Sequence, residues 1–550
     1  MTSPATRRWD PETALVAALA ACVSLGAFLF YFRHGGVLLY GDAVAHINIA
    51  RRVFDSRTPG LLQLGTVWLP LPHLLMIPFL LSNWMWRTGV GGSIPSLLAY
   101  VASVVGIFRL VRGALAFRSE PDTVARTAAW LAAIIFAANP NLLYLQTTAM
   151  TEALYLAWAI WALVYFTEFL DRPSVDDPHP SSSLRRCGLC LLAACFTRYD
   201  GWFLAAAMCV AAAPIALRAG RSGLGVRRAW GKFVITALAA PVIWLAYNGI
   251  TYRNPLEFAN GPYSARAIEQ KASRSGVATH PGANHLPVAA SYLLKSGELN
   301  LAEGGWQKLW LAFLLAGVAM IMLFERCLWP LLLLLVPLPF YTLSVAYGGV
   351  PIYLPVWWPF SYYNARYGVE LLPAFAVFAA VVFYVLGSLL HNLAGRTALA
   401  AAMVVAVAGS YASVWRQQPI SFREAWINSR TRLALESELA ANLRKLPPDS
   451  ILLMYLGDHA GALQQAGIPL RRVVQEGNHR TWKQPSDPEG EWERALANPA
   501  RQVDFVIAVD GDPVAEAMRT QSLLLIAAIH VNGQPAAFIY QAGPRGNQTR

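Results

Sequence analysis

The sequence predicts an α-helical polytopic membrane protein followed by a small C-terminal α/β domain. Hydrophobic residues make up 56% of the 550 residues and charged residues only 14%, against about 25% charged in an ordinary soluble domain. Apolar runs recur along the chain as far as residue 415 and then stop. We therefore predict a membrane domain over residues 1–415 and a soluble domain over residues 416–550.

Eleven apolar segments are long enough, or nearly so, to cross a bilayer as helices. They are residues 13–32, 94–111, 123–139, 152–170, 185–198, 200–217, 232–250, 306–324, 327–347, 368–390 and 396–415. If Arg7 and Arg8 hold the N-terminus in the cytoplasm, alternation of the spans places the arginine-rich connections on the same side. We expect an integral protein of the cytoplasmic (inner) membrane with its C-terminal domain outside the cytoplasm.

The formal net charge of +12 follows the distribution of arginines between apolar runs. That is the positive-inside pattern of a bilayer protein, so membrane lipids and not nucleic acid are the expected partners. Cys187 and Cys190 form a CxxC motif, but with no second pair or histidine nearby we interpret them as helix-packing residues.

Residues 33–93 are predicted to form one large outer loop with two surface-lying helices. The first starts at about residue 42. The second, over residues 67–86, is apolar enough to suggest a further span, but its prolines and tryptophans suit a helix lying in the interface. Counting it as a span would also place the arginines that follow it on the opposite side of the membrane.

The C-terminal domain is predicted from alternating short apolar and helical segments. Strands are expected at ILLMYL, VDFVIAV, LLLIAAIH and AAFIYQ, and helices at ESELAANLRKL, GALQQAG, EWERALANP and PVAEAMR. The domain carries neither a GxGxxG nor a Walker motif, so nothing in it supports nucleotide binding.

Asp42 is the first candidate for chemistry. On a helix that starts here, Asp42, His46 and Ile49 share one face. The helix dipole favours an ionised carboxylate at this position, and such a group at an outer interface is suited to accept a proton from a hydroxyl. The alternative, that Asp42 only caps the helix, is left open.

Further charged residues lie at predicted outer ends of spans. They are Glu152, Arg198 with Asp200 in TRYDGW, and Arg366, Tyr367 and Glu370 in NARYGVELLP. Charged residues near membrane depth are tolerated where they line a protein or water cavity. A purely structural pairing of Arg366 with Glu370, or of Arg198 with Asp200, is left open.

These segments, in this order, resemble the GT-C superfamily of membrane glycosyltransferases over roughly residues 10–415. Within it they are most similar to the protein O-mannosyltransferases, the lipid A aminoarabinose transferases and their bacterial relatives. The family's first outer loop begins with an acidic residue and a helix ending in Ala-Arg, here Asp42 and Ala50-Arg51. A proline-rich segment follows, here LPLPHLL, where His73 stands in place of the usual basic residue.

The resemblance implies inverting transfer of a sugar from a polyprenyl-phosphate donor to a glycan, lipid or protein acceptor at the outer face. Asp42 is then the expected general base. Arg366 first and Arg198 second are the expected partners of the donor phosphate, because arginine binds phosphate through two hydrogen bonds. Tyr367, Glu152, His46 and His73 are the further candidates for substrate binding.

Two other functions are left open by the sequence. A transporter or lipid flippase shares this composition, although no inverted repeat is visible and the candidate residues lie at span ends. A ligase or polymerase of lipid-linked glycans shares the chemistry and differs in donor. No cofactor is expected. Because His46, His73 and His285 lack ligand spacing, we do not expect a metal requirement.

Overall fold

The computed structural model describes residues 10–115, 123–170, 179–218, 224–274, 279–323, 325–478 and 489–543. Up to residue 443 the α-helices are α1 Pro11–Arg33, α2 Gly41–Arg52, α3 Leu71–Leu80, α4 Asn83–Thr88, α5 Val90–Leu115, α6 Thr123–Ala137, α7 Pro140–Leu145, α8 Glu152–Leu170, α9 His179–Cys195, α10 Asp200–Arg218, α11 Leu224–Tyr252, α12 Glu257–Asn260, α13 Ala265–Arg274, α14 Leu286–Leu301, α15 Trp306–Leu323, α16 Pro337–Tyr347, α17 Leu372–Leu389, α18 Leu393–Gln417 and α19 Ile420–Leu443. Short 3₁₀ helices are Leu61–Leu64, Arg326–Leu335, Ala365–Leu371 and Leu470–Arg472.

Across the described part of the chain, nine helical segments are long and apolar enough to cross a membrane. They include α1, α5, α8, α10, α11, α15 and α18, and the two segments in which a 3₁₀ helix leads into α16 or α17. The other two predicted spans are the helices α6 and α9, which are 15 and 17 residues long. The chain is therefore an integral membrane protein with multiple spans, as its composition predicted.

Ion pairs hold three helix ends together at one end of the helical bundle. Arg112, near the end of α5, contacts Asp10 before α1 at 2.8 Å. Arg126 in the first turn of α6 contacts Glu12 in the first turn of α1 at 2.6 Å. The start of α1, the end of α5 and the start of α6 therefore lie on the same side of the bundle, and the segment between α1 and α5 lies at the opposite end.

That segment holds α2, α3 and α4, where two surface-lying helices were predicted. Arg51 at the end of α2 organises it, because its guanidinium contacts Asp55 at 2.8 Å and donates to the side chain of Asn83 at 2.8 Å. The same guanidinium lies 5.0 Å from the ring centroid of Phe54 and 4.9 Å from that of Trp86. Arg51, the arginine of the Ala-Arg motif, thus ties α2 to the helices that follow it.

The C-terminal part is built on a five-stranded mixed sheet. Its strands are β1 Leu452–Met454, β2 Val473–Val474, β3 Phe505–Val509, β4 Leu524–Ile529 and β5 Ala537–Gln541. Its helices are α20 Leu456–Ala466, α21 Glu491–Ala497, α22 Pro499–Gln502 and α23 Pro513–Met518. The strand order is β2-β1-β3-β5-β4, with β1, β2 and β3 parallel and β5 antiparallel to both neighbours. The sequence predicted four of these strands and missed β2, which is only two residues long.

Helix α19 joins the two parts of the structure. It follows α18 after Pro419, and its first turn is buried. The Tyr40 hydroxyl donates to the Ser421 carbonyl at 2.8 Å, and the Asn141 side chain accepts from the Ser421 amide at 2.9 Å. A helix assigned to the soluble domain thus packs against the membrane part, and the domain boundary at residue 415 stays a prediction.

Helix α14 lies between the predicted spans 232–250 and 306–324 and packs tightly on the 3₁₀ helix Ala365–Leu371. The Ser296 hydroxyl donates to the Ala365 carbonyl at 2.7 Å and accepts from the Gly368 amide at 3.0 Å. A Cβ atom at Gly368 would overlap the carbonyl group of Ser296, which is main chain and cannot rotate away. The close contact holds in place the segment that carries Arg366.

We expect Gly368→Ala to lower the free energy of unfolding by about 1–3 kcal/mol, because the added methyl group overpacks this contact. The measurement is thermal unfolding of the detergent-purified protein. Gly26→Ala in α1 is the control, since a Cβ atom there meets nothing within 4 Å. Equal melting temperatures for the two variants would contradict the proposed packing role of Gly368.

Candidate functional site

A cavity of about 530 Å³ gathers most of the residues that the sequence singled out. Its lining includes the six candidates Asp42, His46, Glu152, Arg198, Arg366 and Tyr367. They come from four separate stretches of the chain and lie at the end of the bundle opposite to the start of α1. The seventh candidate, His73, lies behind His46.

Arg366 lies at the centre of the charged groups and binds three carboxylates. Its Nη2 donates to Asp42 Oδ2 at 2.7 Å, and its Nε donates to Glu152 Oε1 at 3.1 Å. Its Nη1 donates to Glu424 Oε1 at 2.9 Å. One guanidinium thus joins α2, α8 and α19 to the 3₁₀ helix that carries it.

Arg198 lies next to Arg366 and shares one carboxylate with it. Its Nη1 donates to Glu152 Oε1 at 3.3 Å, and its Nε donates to Asp200 Oδ2 at 3.3 Å. The Tyr341 hydroxyl accepts from Arg198 Nη2 at 2.5 Å and donates to Asp200 at 2.8 Å. Glu152 Oε1 therefore accepts from both arginines and fixes the distance between them.

Helix geometry explains why these side chains converge. Glu152 is the first residue of α8 and Asp200 the first residue of α10, so each carboxylate lies at the positive end of a helix dipole. The chain breaks between α9 and α10 at TRYD, which places Arg198 at a helix end instead of within a span. The Tyr367 ring lies between the two arginines, with its centroid 5.1 Å from the guanidinium carbon of Arg366 and 5.5 Å from that of Arg198.

Asp42 differs from the other carboxylates of Arg366 in its exposure. Its side chain is 44% exposed, whereas those of Glu152 and Glu424 are 0% and 2% exposed. Within the described residues, Asp42 Oδ2 is hydrogen-bonded to Arg366 and Oδ1 has no hydrogen bond. The carboxylate is therefore held by one oxygen atom while the other is available to a molecule in the cavity.

The two histidines form a buried pair beside this cavity. His46 Nδ1 lies 2.9 Å from His73 Nε2, and the His46 and Trp68 ring centroids are 4.6 Å apart. Burial, with the nearby Arg198 and Arg366, lowers the pKa of His46 to about 3, and burial also holds the pKa of His73 well below its usual range. Both rings are therefore neutral at pH 7, and His73 does not supply the positive charge of the residue that it replaces.

Three site residues were missed by the sequence analysis. Glu424 comes from a segment assigned to the soluble domain, and Tyr341 from the middle of an apolar run. Arg266 on α13 lines the cavity, is exposed and makes no ion pair with any residue that the structure describes. A carboxylate shortly after the last predicted span was the available signal for Glu424, whereas nothing local distinguishes Arg266 from other loop arginines.

No group of three or more His, Cys, Asp or Glu side chains is arranged to hold a metal ion within the described residues. Cys187 and Cys190 are buried in α9 as free thiols.

Comparison with known proteins gives a match in structure and none in sequence. No family model matches the chain, and no curated protein sequence matches it. The structure of ArnT from Cupriavidus metallidurans in the apo state matches with a TM-score of 0.57 and 13% identity, covering 96% of this chain and 99% of that chain. ArnT bound to undecaprenyl phosphate gives the same TM-score at 14% identity, covering 97% and 99%.

The oligosaccharyltransferase of Archaeoglobus fulgidus tethered with an acceptor peptide matches more loosely, with a TM-score of 0.47 and 10% identity over 98% of this chain and 75% of that chain. The likeness to ArnT extends over nearly the full length of both chains. It confirms the fold that the sequence motifs predicted: the chain shares the fold of ArnT.

Proposed function

We propose that the protein is an inverting glycosyltransferase that moves a sugar from a polyprenyl-phosphate carrier to an acceptor hydroxyl, with Asp42 as general base. The observation that carries the proposal is the exposed carboxylate of Asp42, fixed by Arg366 in a cavity of about 530 Å³. A base must be within reach of the proton that it removes and be held in a fixed orientation. Arg366 holds Asp42 in a fixed orientation, and the exposure of Asp42 leaves it open to an acceptor hydroxyl in the cavity.

The reaction is a single displacement. The acceptor oxygen forms a bond to the anomeric carbon while the bond from that carbon to the phosphate oxygen breaks. The acceptor proton passes to Asp42, and the polyprenyl phosphate leaves with the bonding electron pair. The leaving phosphate gains negative charge, so a positively charged group near it lowers the energy of the transition state.

The walls of the cavity support a lipid-linked donor. Trp202 and Phe203 of α10 and Phe340 of α16 line it, and both helices belong to candidate spans. Phe203 is also 41% exposed. These aromatic side chains give a prenyl chain an apolar route between the two helices to the charged groups. One of the similar ArnT structures holds undecaprenyl phosphate.

The prediction that Arg366 and Arg198 bind the donor phosphate stays a prediction. In the structure both guanidiniums are already bound to carboxylates, with five carboxyl groups around two arginines. We propose that Arg366 holds Asp42 in place and that Arg266, on the rim of the same cavity, binds the phosphate. An exposed arginine with no carboxylate partner gains more from a phosphate than one already paired.

We further propose that the active face lies outside the cytoplasm of a bacterial inner membrane. The arginine-rich connections predict the cytoplasmic side by the positive-inside rule. Arg112 and Arg126 lie at the end of the bundle opposite to Asp42, which agrees with that orientation.

We expect Asp42→Asn to lower the rate of sugar transfer by about 10²–10⁴-fold, because an amide cannot take the acceptor proton. The measurement is release of radiolabelled sugar from a panel of polyprenyl-phosphate sugars by the detergent-purified protein. Asp449→Asn is the control, since Asp449 is an exposed aspartate that does not line this cavity. Full transfer by Asp42→Asn would refute the role of Asp42, and donor binding without release by the native protein would favour a transporter or flippase.

The two arginines are expected to affect different kinetic constants. Arg266→Gln should raise the KM for donor, on the order of tenfold for the loss of a charge-assisted hydrogen bond. Arg366→Lys should mainly lower kcat, because an ammonium group cannot bind three carboxylates in the fork geometry of a guanidinium.

Steady-state kinetics with a single lipid-linked donor separate these effects, and Arg253→Gln serves as the control on the same loop, because Arg253 does not line the cavity. A donor KM that rises in Arg366→Lys and stays unchanged in Arg266→Gln would indicate that Arg366, and not Arg266, binds the donor phosphate.

A further inference from the structure

A second cavity of about 290 Å³ lies between α2 and the C-terminal sheet, and we call it the strand-end cavity. One wall comes from α2 and from residues 58–68 that follow it. Tyr252 and Tyr263 form another wall. The third wall is the C-terminal domain, through Tyr455, Leu456 and Glu476 among others. Nothing in the proposed transfer chemistry uses this cavity.

The cavity lies at the carboxyl ends of two parallel strands. Tyr455 follows β1 directly and opens α20, and Glu476 and Gly477 follow β2 after one residue. In open α/β sheets, ligands bind outside the carboxyl ends of the strands, where loops supply the contacts and the strands supply rigidity. The carboxyl ends of β1 and β2, where such sheets usually bind ligands, therefore face the membrane part.

The walls are joined by polar contacts across the two parts of the chain. Arg52 contacts Glu476 at 3.1 Å, and the Asn48 amide donates to Gln464 at 2.9 Å. Arg471 contacts the buried Asp55 at 3.2 Å. These contacts hold α20 and β2 against α2, so the cavity is a fixed feature of the fold.

Helix α2 separates the strand-end cavity from the cavity of Asp42. Asp42 and His46, one turn apart, line the Asp42 cavity, and Ala45 and Arg52 on a neighbouring face line the strand-end cavity. Ile49, which its spacing places on the face of Asp42, also lines the strand-end cavity. Val67 and Trp68 line both cavities. A molecule bound at the strand ends therefore lies one helix face away from the proposed base.

The lining combines aromatic rings with a few polar groups. Trp68, Tyr252, Tyr263 and Tyr455 supply the rings. Arg52 Nε is buried and has no hydrogen-bond partner among the described residues, while Arg52 Nη1 is paired with Glu476. A pyranose ring has an apolar C–H face and a rim of hydroxyls, so it can stack on an aromatic side chain while its hydroxyls meet a charged pair at the edge.

We propose that the strand-end cavity binds a sugar unit of a carbohydrate acceptor and presents the acceptor hydroxyl to Asp42. This inference rests on the proposed function and names its acceptor class. A peptide acceptor fits less well, because strand ends and not a free strand edge face the cavity, which leaves no place for an added strand. A purely apolar chain would leave the Arg52–Glu476 pair desolvated without compensation.

Saccharide binding by the full-length protein in detergent tests the inference without any donor. The probes are maltose, cellobiose, chitobiose and mannobiose, followed by saturation-transfer NMR. At least one disaccharide should bind to the native protein. Tyr263→Ala should weaken that binding on the order of tenfold, because a stacking face is lost, and Tyr263→Phe should restore most of it.

Tyr263 suits the test because its side chain is 48% exposed, so its removal opens no core. Trp426→Ala, at 46% exposure on α19 and outside both cavities, is the matched control and should bind as the native protein does. Release of sugar from the lipid donor to water by the native protein measures the proposed function separately, and the KM for a saccharide acceptor should rise in Tyr263→Ala.

Saccharide binding that is absent in the native protein, or equal in Tyr263→Ala, overturns the inference even if donor release proceeds. Displacement of the probe by an unglycosylated peptide or by a free fatty acid overturns it as well. If the native protein releases no sugar from the lipid donor but binds a saccharide in a way that depends on Tyr263, the transfer chemistry is refuted and the saccharide site is supported.

Discussion

The buried guanidinium of Arg366 is the interaction on which the rest of the structure depends. A charged group taken out of water costs several kcal/mol unless it is paired and hydrogen-bonded. Arg366 is 6% exposed and meets this cost through three carboxylates on three different helices. The N-terminal ends of those three helices must therefore lie close together, and they meet at the wall of the cavity in which Asp42 is exposed.

The C-terminal domain belongs to this arrangement through α19. Glu424 lies near the start of that helix and accepts a hydrogen bond from Arg366. The helix that links the membrane part to the sheet therefore also supplies one of the carboxylate partners of Arg366. The sheet in turn lies against α2, whose other face carries Asp42. Helix α2 and Arg366 thus connect the proposed donor cavity, the proposed acceptor cavity and the C-terminal domain. Movement of the sheet relative to α2 would alter both cavities together.

Much of the fold was predictable because its signals are local. Apolar length sets the membrane helices, and alternation of short apolar and helical segments sets four of the five strands. The order of short motifs predicted a fold that the likeness to ArnT confirms. The elements that the sequence did not predict were missed for local reasons. Strand β2 has only two residues, too few to show a pattern, and α14 lies in a segment whose composition is rich in Gly and Pro.

For the site, the sequence by itself determined which residues have chemistry to offer: Asp42, Glu152, Arg198 and Arg366, at the ends of apolar segments where charge is tolerated. Only the tertiary structure decided how they are used. It gave both arginines carboxylate partners, left Asp42 exposed, and brought Glu424 and Arg266 to the same cavity from distant segments. The physical reason is that the partner of a buried charge is chosen by which helix ends meet in three dimensions, and no pattern along a single segment records that meeting.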